Sequence, residues 1–102
     1  MDPERISDFN IADVVISTAG RDAGTLFYVI RTDPEFLMLA NGKDRTLDKP
    51  KRKKRKHIQK VLRSETRVAE KLRNGDRVLN SELRRDLAYL SREMQSNAPG
   101  GN

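Results

Sequence analysis

The sequence predicts a mainly β protein with an α-helical C-terminal tail, in which a small antiparallel barrel is followed by two short helices. Three observations support this prediction. Residues 11–48 contain short runs of β-branched and aromatic residues separated by turn-forming residues. Residues 81–94 carry apolar side chains at helical spacing. At 102 residues, the chain has room for one domain, or for one very small domain with an appendage.

Four short strands are predicted from these runs, at residues 11–17, 25–31, 36–40 and 43–48. The sequence between the second and third strands, Thr32-Asp33-Pro34-Glu35, has the composition of a tight turn. Asn41-Gly42 is typical of a type I′ hairpin turn and would return the chain as the fourth strand. Strands this short, joined by tight turns, favour a small antiparallel barrel.

A fifth strand could close the barrel, because residues 57–61 alternate between polar and apolar side chains. The alternative is one continuous helix over residues 57–73. We favour the strand, since Ser64 is a suitable N-cap for a helix that starts just downstream. The barrel would then span residues 8–62 and include the basic segment 49–57.

The rest of the chain is predicted to be helical from residue 63 to 96, with a disordered tail at 97–102. A first helix would run from Ser64 to Leu72 and end at Asn74-Gly75, and Asn80 or Ser81 would cap the second. The second helix has an apolar stripe that consists of Leu83, Leu87, Leu90 and Met94. We expect this stripe to pack on the first helix or the barrel; the alternative is a partner surface or a homodimer seam, although an oligomer is not predicted.

Charge is distributed unevenly along the chain, whose net charge is +6. Residues 1–48 carry nine acidic and five basic side chains, whereas residues 58–102 carry six acidic and nine basic ones. Between them, seven of the eight residues from Lys49 to Lys56 are basic. A block of like charge repels itself unless a polyanion or water screens it. This concentration of charge favours a defined polyanionic partner.

Several classes of site and of protein are disfavoured by composition. The chain has no cysteine and a single histidine, His57, so neither a disulfide nor a metal site is expected. The carboxylates are scattered, and no nucleophile or base accompanies them, so we expect no cofactor and no catalytic site. No apolar run is long enough for a membrane span, and the acidic N-terminus differs from a signal peptide. We therefore expect a cytoplasmic protein with no membrane partner.

Residues 12–30 resemble a KOW motif, in which polar and apolar residues alternate around a glycine that matches Gly24. The Asn41-Gly42-Lys43 turn and residues 49–58 are similar to bacterial single-KOW RNA-binding proteins. Those proteins in turn resemble a KOW-bearing family of archaeal and eukaryotic large-subunit ribosomal proteins. The resemblance covers about residues 10–60 and implies an SH3-like barrel, RNA binding and association with the ribosome. Many KOW motifs begin with Gly-Asp, where this chain has Ala12-Asp13.

The candidate RNA-binding residues come from the basic segment and from the loops beside it. The resemblance makes Gly20 and Gly24 loop-shaping residues. Phosphate neutralisation by basic side chains would supply most of the affinity. The complete predicted set is Arg21, Lys43, Arg45, Lys51, Arg52, Lys53, Lys54, Arg55, Lys56 and His57. Of the aromatic residues that could stack on bases, Tyr28 is expected to be exposed and to lie on the opposite face of its strand from Phe27.

These observations predict a non-enzymatic RNA-binding protein, associated with the ribosome and bound to structured ribosomal RNA through the basic segment and the KOW loop. Ribosomal proteins, or another protein partner on the C-terminal helix, could add to this contact. The alternative is a protein-interaction adaptor of the transcription or translation machinery. An adaptor would use the barrel and the leucine stripe, with the lysines as a solvated linker.

Overall fold

The computed structural model describes residues 9–96 of the chain. It has five strands, namely β1 (Asp13–Ser17), β2 (Leu26–Thr32), β3 (Phe36–Ala40), β4 (Lys51–Lys54) and β5 (Ile58–Arg63). Two helices follow, α1 (Arg67–Asn74) and α2 (Asn80–Ser96). The strands form one antiparallel sheet in the order β4-β3-β2-β1-β5. The prediction of a mainly β fold with a helical C-terminal tail is confirmed.

The sheet buries apolar side chains on both of its faces. Phe27 packs inside the curved, barrel-like sheet with Val15, Val29, Leu37, Leu39 and Ile58. Tyr28, the next residue, points to the other face and packs with Ala69, Leu83 and Leu87 of the helices. Successive side chains of a strand point to opposite faces, and this alternation was predicted for Phe27 and Tyr28. The helices therefore cover part of the outer face of the sheet.

Tyr28 itself is fully buried, so the prediction of an exposed ring was wrong. Its hydroxyl donates a hydrogen bond of 2.5 Å to Asp86 Oδ2 of α2 and lies 2.8 Å from Ser64 Oγ. Thr66 Oγ1 donates to the same Asp86 oxygen at 2.8 Å. This polar cluster joins the centre of the sheet to both helices. The helices that cover Tyr28 are distant from it in sequence. The alternation of a strand predicts which face a side chain lies on, but not whether another element covers that face.

The fourth strand is not where the sequence predicted it. Residues 43–48 lie in a loop, and the strand is Lys51–Lys54, inside the basic segment. Gly42 has a positive φ of 78°, but Asn41 keeps a negative φ, so the turn is not type I′. Asn41 Oδ1 instead accepts hydrogen bonds from the backbone N–H groups of Lys43 and Arg45, each at 3.0 Å. This side-chain turn widens the hairpin into a loop.

The fifth strand is confirmed, and the alternative of one continuous helix over residues 57–73 was wrong. One 3₁₀ turn, Arg55–His57, links β4 to β5. Helix α1 begins later than predicted, because Thr66 is its N-cap and accepts a hydrogen bond from Ala69 N–H. Its end at Gly75 is confirmed: this glycine adopts the left-handed conformation, with φ at 76°.

The apolar stripe of α2 faces the sheet. Leu83 and Leu87 are buried, and Leu90 packs on the same cluster, while Met94 is half-buried. Asn80 Oδ1 at the start of α2 accepts a hydrogen bond of 2.8 Å from Leu47 N–H. Because that bond ties the 41–50 loop to the helix, the loop and α2 hold each other in place. The predicted tail at 97–102 lies outside the described residues.

Candidate nucleic-acid interface

The strand β4 consists of four basic residues, and its pairing with β3 decides which way each one points. Lys51 and Lys53 lie opposite Leu39 and Leu37, whose side chains are inside the barrel-like sheet. Directly paired residues of antiparallel strands share a face, so the side chains of Lys51 and Lys53 start towards the interior. The same rule places Arg52 and Lys54 on the outer face, and both are exposed.

Asp22, in the loop between β1 and β2, holds both of the inward lysines. Lys53 Nζ lies 2.9 Å from Asp22 Oδ1 and donates a hydrogen bond of 2.8 Å to the carbonyl of Ala19. Lys51 Nζ lies 3.3 Å from Asp22 Oδ2. Lys53 is only 9% exposed, so these partners offset the cost of burying its ammonium group. These contacts tie β4 to the loop between β1 and β2.

Partial burial raises the pKa of Asp22, but hydrogen bonds from Lys53 and Ser17, together with the nearby Lys51 ammonium group, outweigh it and lower the pKa to about 2. Ser17 Oγ donates a hydrogen bond of 2.8 Å to Asp22 Oδ1. The turn that presents Asp22 has positive φ values of 86° at Gly20 and 90° at Gly24. Glycine adopts this conformation without strain, which accounts for both glycines in the loop.

The outer side of the β3–β4 region combines basic and apolar side chains. Arg31, Met38 and Arg52 form one row across β2, β3 and β4. An irregularity of register between Val29 and Arg31 brings Arg31 opposite Met38. Phe36 and Lys54 form the next row of the same side. We call this set, Arg31, Phe36, Met38, Arg52 and Lys54, the β4 face.

The end of β4 forms a groove with the turn between β2 and β3. Its volume is about 280 Å³, and it is lined by Pro34, Glu35, Lys54, Arg55 and Lys56. Arg55 is tied to that turn, because its backbone N–H donates to Glu35 O at 3.0 Å and its Nε donates to Asp33 O at 2.9 Å. Lys54 and Lys56 are exposed at the groove. His57 is half-buried beyond it.

The other predicted RNA-binding residues lie near the start of β4. Arg21, Arg45 and Lys51 line a cleft of about 520 Å³, together with Asp22, Thr25, Phe27 and Asp44. Lys43 is exposed on the 41–50 loop next to Arg45. The fold thus brings three predicted residues into one cleft, although two carboxylates share it.

Sequence reasoning missed two roles that depend on pairing. Arg31 was not a candidate because its place beside Met38 comes from a register shift that no local pattern marks. In the sequence Asp22 is one of several scattered carboxylates, yet in the fold it holds Lys51 and Lys53, two of the predicted RNA-binding residues. Gly20 and Gly24, which flank Asp22, were the sequence feature that could have marked this loop as a structured turn.

Within residues 9–96, no three His, Asp or Glu side chains are grouped so that they could hold a metal ion. In the same part of the chain, neither helix has the length and apolar character that crossing a membrane requires. Comparison of the chain with protein-family models and with curated proteins finds no match in either.

Proposed function

We propose that this chain is a non-enzymatic RNA-binding protein, associated with the ribosome, that holds phosphates of structured RNA against its barrel. One observation carries the proposal. The strand β4 is basic at every position, and it is fixed on one side by pairing with β3 and at its inward lysines by Asp22. The resemblance of residues 12–30 to a KOW motif supports the same function.

A strand that is held in this way suits polyanion binding for a thermodynamic reason. Ordering flexible side chains and loops opposes binding, so a pre-ordered cationic strand loses less free energy when RNA binds than a mobile tail would. Each phosphate that it neutralises releases counterions, which makes the affinity depend on salt. We assign direct phosphate contact to Arg52, Lys54 and Lys56, which are exposed. Lys53 is assigned a supporting role, because its charge is already paired.

The adaptor alternative is less well supported. It relies on the leucine stripe of α2 as a surface for a protein partner. Leu83 and Leu87, the first two residues of that stripe, are buried against the sheet. Among the described residues of α2, Tyr89 is a large hydrophobic side chain that stays exposed, at 47%.

The test compares two triple variants with the same change in net charge. Arg52, Lys54 and Lys56 are changed to Gln in one, and Arg77, Arg85 and Arg92, all exposed in the helical part, in the other. Binding to fragments of ribosomal RNA is measured over a range of salt concentrations. We expect the first variant to bind more weakly and its slope of log K against log salt to fall by about 2 to 3, since each lost phosphate contact removes about 0.7–0.9.

The helical variant should retain most of the affinity, because the charges that it loses belong to the helical part and not to β4. Equal losses in both variants would mean that only net charge matters and would contradict the assignment to β4. In gradient sedimentation, we expect co-migration with ribosomal subunits that nuclease abolishes. Nuclease-resistant association with a polypeptide would instead support the adaptor.

A further inference from the structure

Arg52 is stacked on an aromatic ring. Its Cζ lies 3.5 Å from the centroid of the Phe36 ring, which is the distance of van der Waals contact between stacked planes. Arg52 is exposed, and Phe36 is half-buried. The ring thus restrains the orientation of the guanidinium group, while the opposite surface of that group remains accessible.

The neighbours of this stack extend it into a platform. Met38 lies beside Arg52 in the same row, and Arg31 completes the row on β2. Met38 is half-buried and Arg31 is exposed. A thioether and a guanidinium group offer broad, polarisable surfaces that suit contact with the π-face of a base. A contact with phosphates alone would not require a stacked guanidinium or an apolar centre.

Cationic side chains flank the platform at one end. Lys54 is in the row next to Arg52, and the groove of about 280 Å³ continues from it to Lys56. Glu35 is on the other wall of this groove. Lys54 is two residues from Arg52 on the same strand, about 7 Å away along β4, so the lysines adjoin the platform where the phosphates of a nucleotide stacked on it would lie.

We infer that the β4 face binds an unpaired base of single-stranded RNA by stacking on Arg52, with the flanking phosphates near Lys54 and Lys56. This inference rests on the proposed function and adds the kind of RNA that the site takes. Bases of a duplex are stacked on each other and cannot lie flat on a protein surface, whereas bases of loops and bulges stack on aromatic rings and guanidinium planes. The bound element would be a single-stranded loop or bulge within a structured RNA.

The test uses Arg52→Lys, which keeps the charge but removes the planar group. Arg92→Lys is the matched control, since it makes the same change at an exposed arginine of α2. Three labelled probes of equal phosphate number are compared: a single-stranded oligoribonucleotide, the same length of abasic ribose-phosphate, and a fully paired, blunt-ended RNA duplex without a loop. Circular dichroism confirms that each variant is folded.

We expect Arg52→Lys to bind the single strand about fivefold to a hundredfold more weakly, because stacking of one base contributes that much to affinity. Its salt dependence should stay unchanged, and its affinity for the abasic and paired probes should stay the same. The Arg92→Lys control should match the wild type on all three. Phe36→Leu, which removes the ring below Arg52, should weaken binding of the single strand in the same direction.

Two results would overturn the inference and leave RNA binding intact. One is equal affinity of the wild-type protein for the single-stranded and abasic probes. The other is an equal loss by Arg52→Lys on all three probes, which would mean that Arg52 contacts phosphate only and does not stack on a base. Absence of binding to every probe and to ribosomal RNA would overturn the proposed function together with the inference.

Discussion

Lys53 Nζ lies 2.9 Å from Asp22 Oδ1, and this ion pair joins the middle of the edge strand β4 to the loop between β1 and β2. A lysine at this position starts towards the barrel interior, where an unpaired charge would be costly. Asp22 offsets that cost. Its Oδ2 also lies 3.3 Å from Lys51 Nζ and partly neutralises the charge of that second lysine. Two basic residues of β4 thus serve the fold, and Arg52 and Lys54 are left for a ligand.

Replacing Asp22 by Asn should destabilise the protein, because it leaves two lysines close together without their carboxylate. We expect the free energy of unfolding to fall by about 1–3 kcal/mol, measured by urea denaturation. Asp44→Asn is the control, as Asp44 is an exposed carboxylate in the same cleft. It should change stability by less than about 0.5 kcal/mol. Equal stability of Asp22→Asn and the wild type would show that the ion pair contributes nothing.

The ion pair between Lys53 and Asp22 also predicts how the stability of the protein changes with pH in the acid range. The pKa of Asp22 is lowered in the folded protein from 3.8 to about 2. A carboxyl whose folded pKa is depressed stabilises the protein above its unfolded pKa, and this stabilisation is lost as pH falls through the folded pKa. We therefore expect its contribution to be complete above about pH 4 and lost towards pH 2. The difference in stability between the wild type and Asp22→Asn, followed by urea denaturation, should shrink over that range.

Tyr28 should ionise at unusually high pH. Burial, followed by the hydrogen bond to Asp86, raises its pKa from 10.0 to about 12. The chain has two tyrosines, so a Tyr89→Phe variant reports Tyr28 alone when tyrosinate absorbance is followed in a pH titration. We expect the transition near pH 12. A transition near pH 10 in the folded variant would contradict the buried polar cluster.

The raised pKa of Tyr28 has a second consequence, since a group that is harder to ionise when folded loses its stabilising effect as pH rises. Its contribution should be complete below pH 10 and decline towards pH 12. Tyr28→Phe should lower stability at neutral pH by about 1–2 kcal/mol, because Asp86 loses a donor. The variant should show less alkaline loss of stability than the wild type.

Gly42 and Gly24 should respond very differently to alanine, although both have positive φ. A Cβ at Gly42 would lie 2.2 Å from the carbonyl oxygen of Asn80, so the 41–50 loop and α2 could not keep their contact. We expect Gly42→Ala to cost more than about 2 kcal/mol of stability in urea denaturation. At Gly24 a Cβ would meet no atom within 4 Å, so only backbone strain of about 1–2 kcal/mol remains. Similar losses in both variants would mean that the approach of Asn80 does not constrain the loop.

Local patterns predicted the strands that have their own hydrophobic alternation. The bounds of β3 were predicted correctly, and the turn before it forms with Asp33 Oδ1 accepting from Glu35 N–H at 3.2 Å. The strand β4 was missed for a physical reason. A run of lysine and arginine has no strand propensity of its own, and it becomes a strand because Phe36 to Leu39 of β3 offer it a ladder.

The amino-acid sequence alone determined where charge and apolar surface lie along the chain: a dense basic segment, alternating strands and a leucine stripe. These features follow from side-chain chemistry and from the fixed periods of strands and helices. Only the tertiary structure decided which basic residues are held by Asp22 and which are exposed, and it also decided that Tyr28 is buried against Asp86. The reason is that strand register and helix docking come from contacts between residues far apart in sequence, and a shift of one residue sends each side chain to the other face.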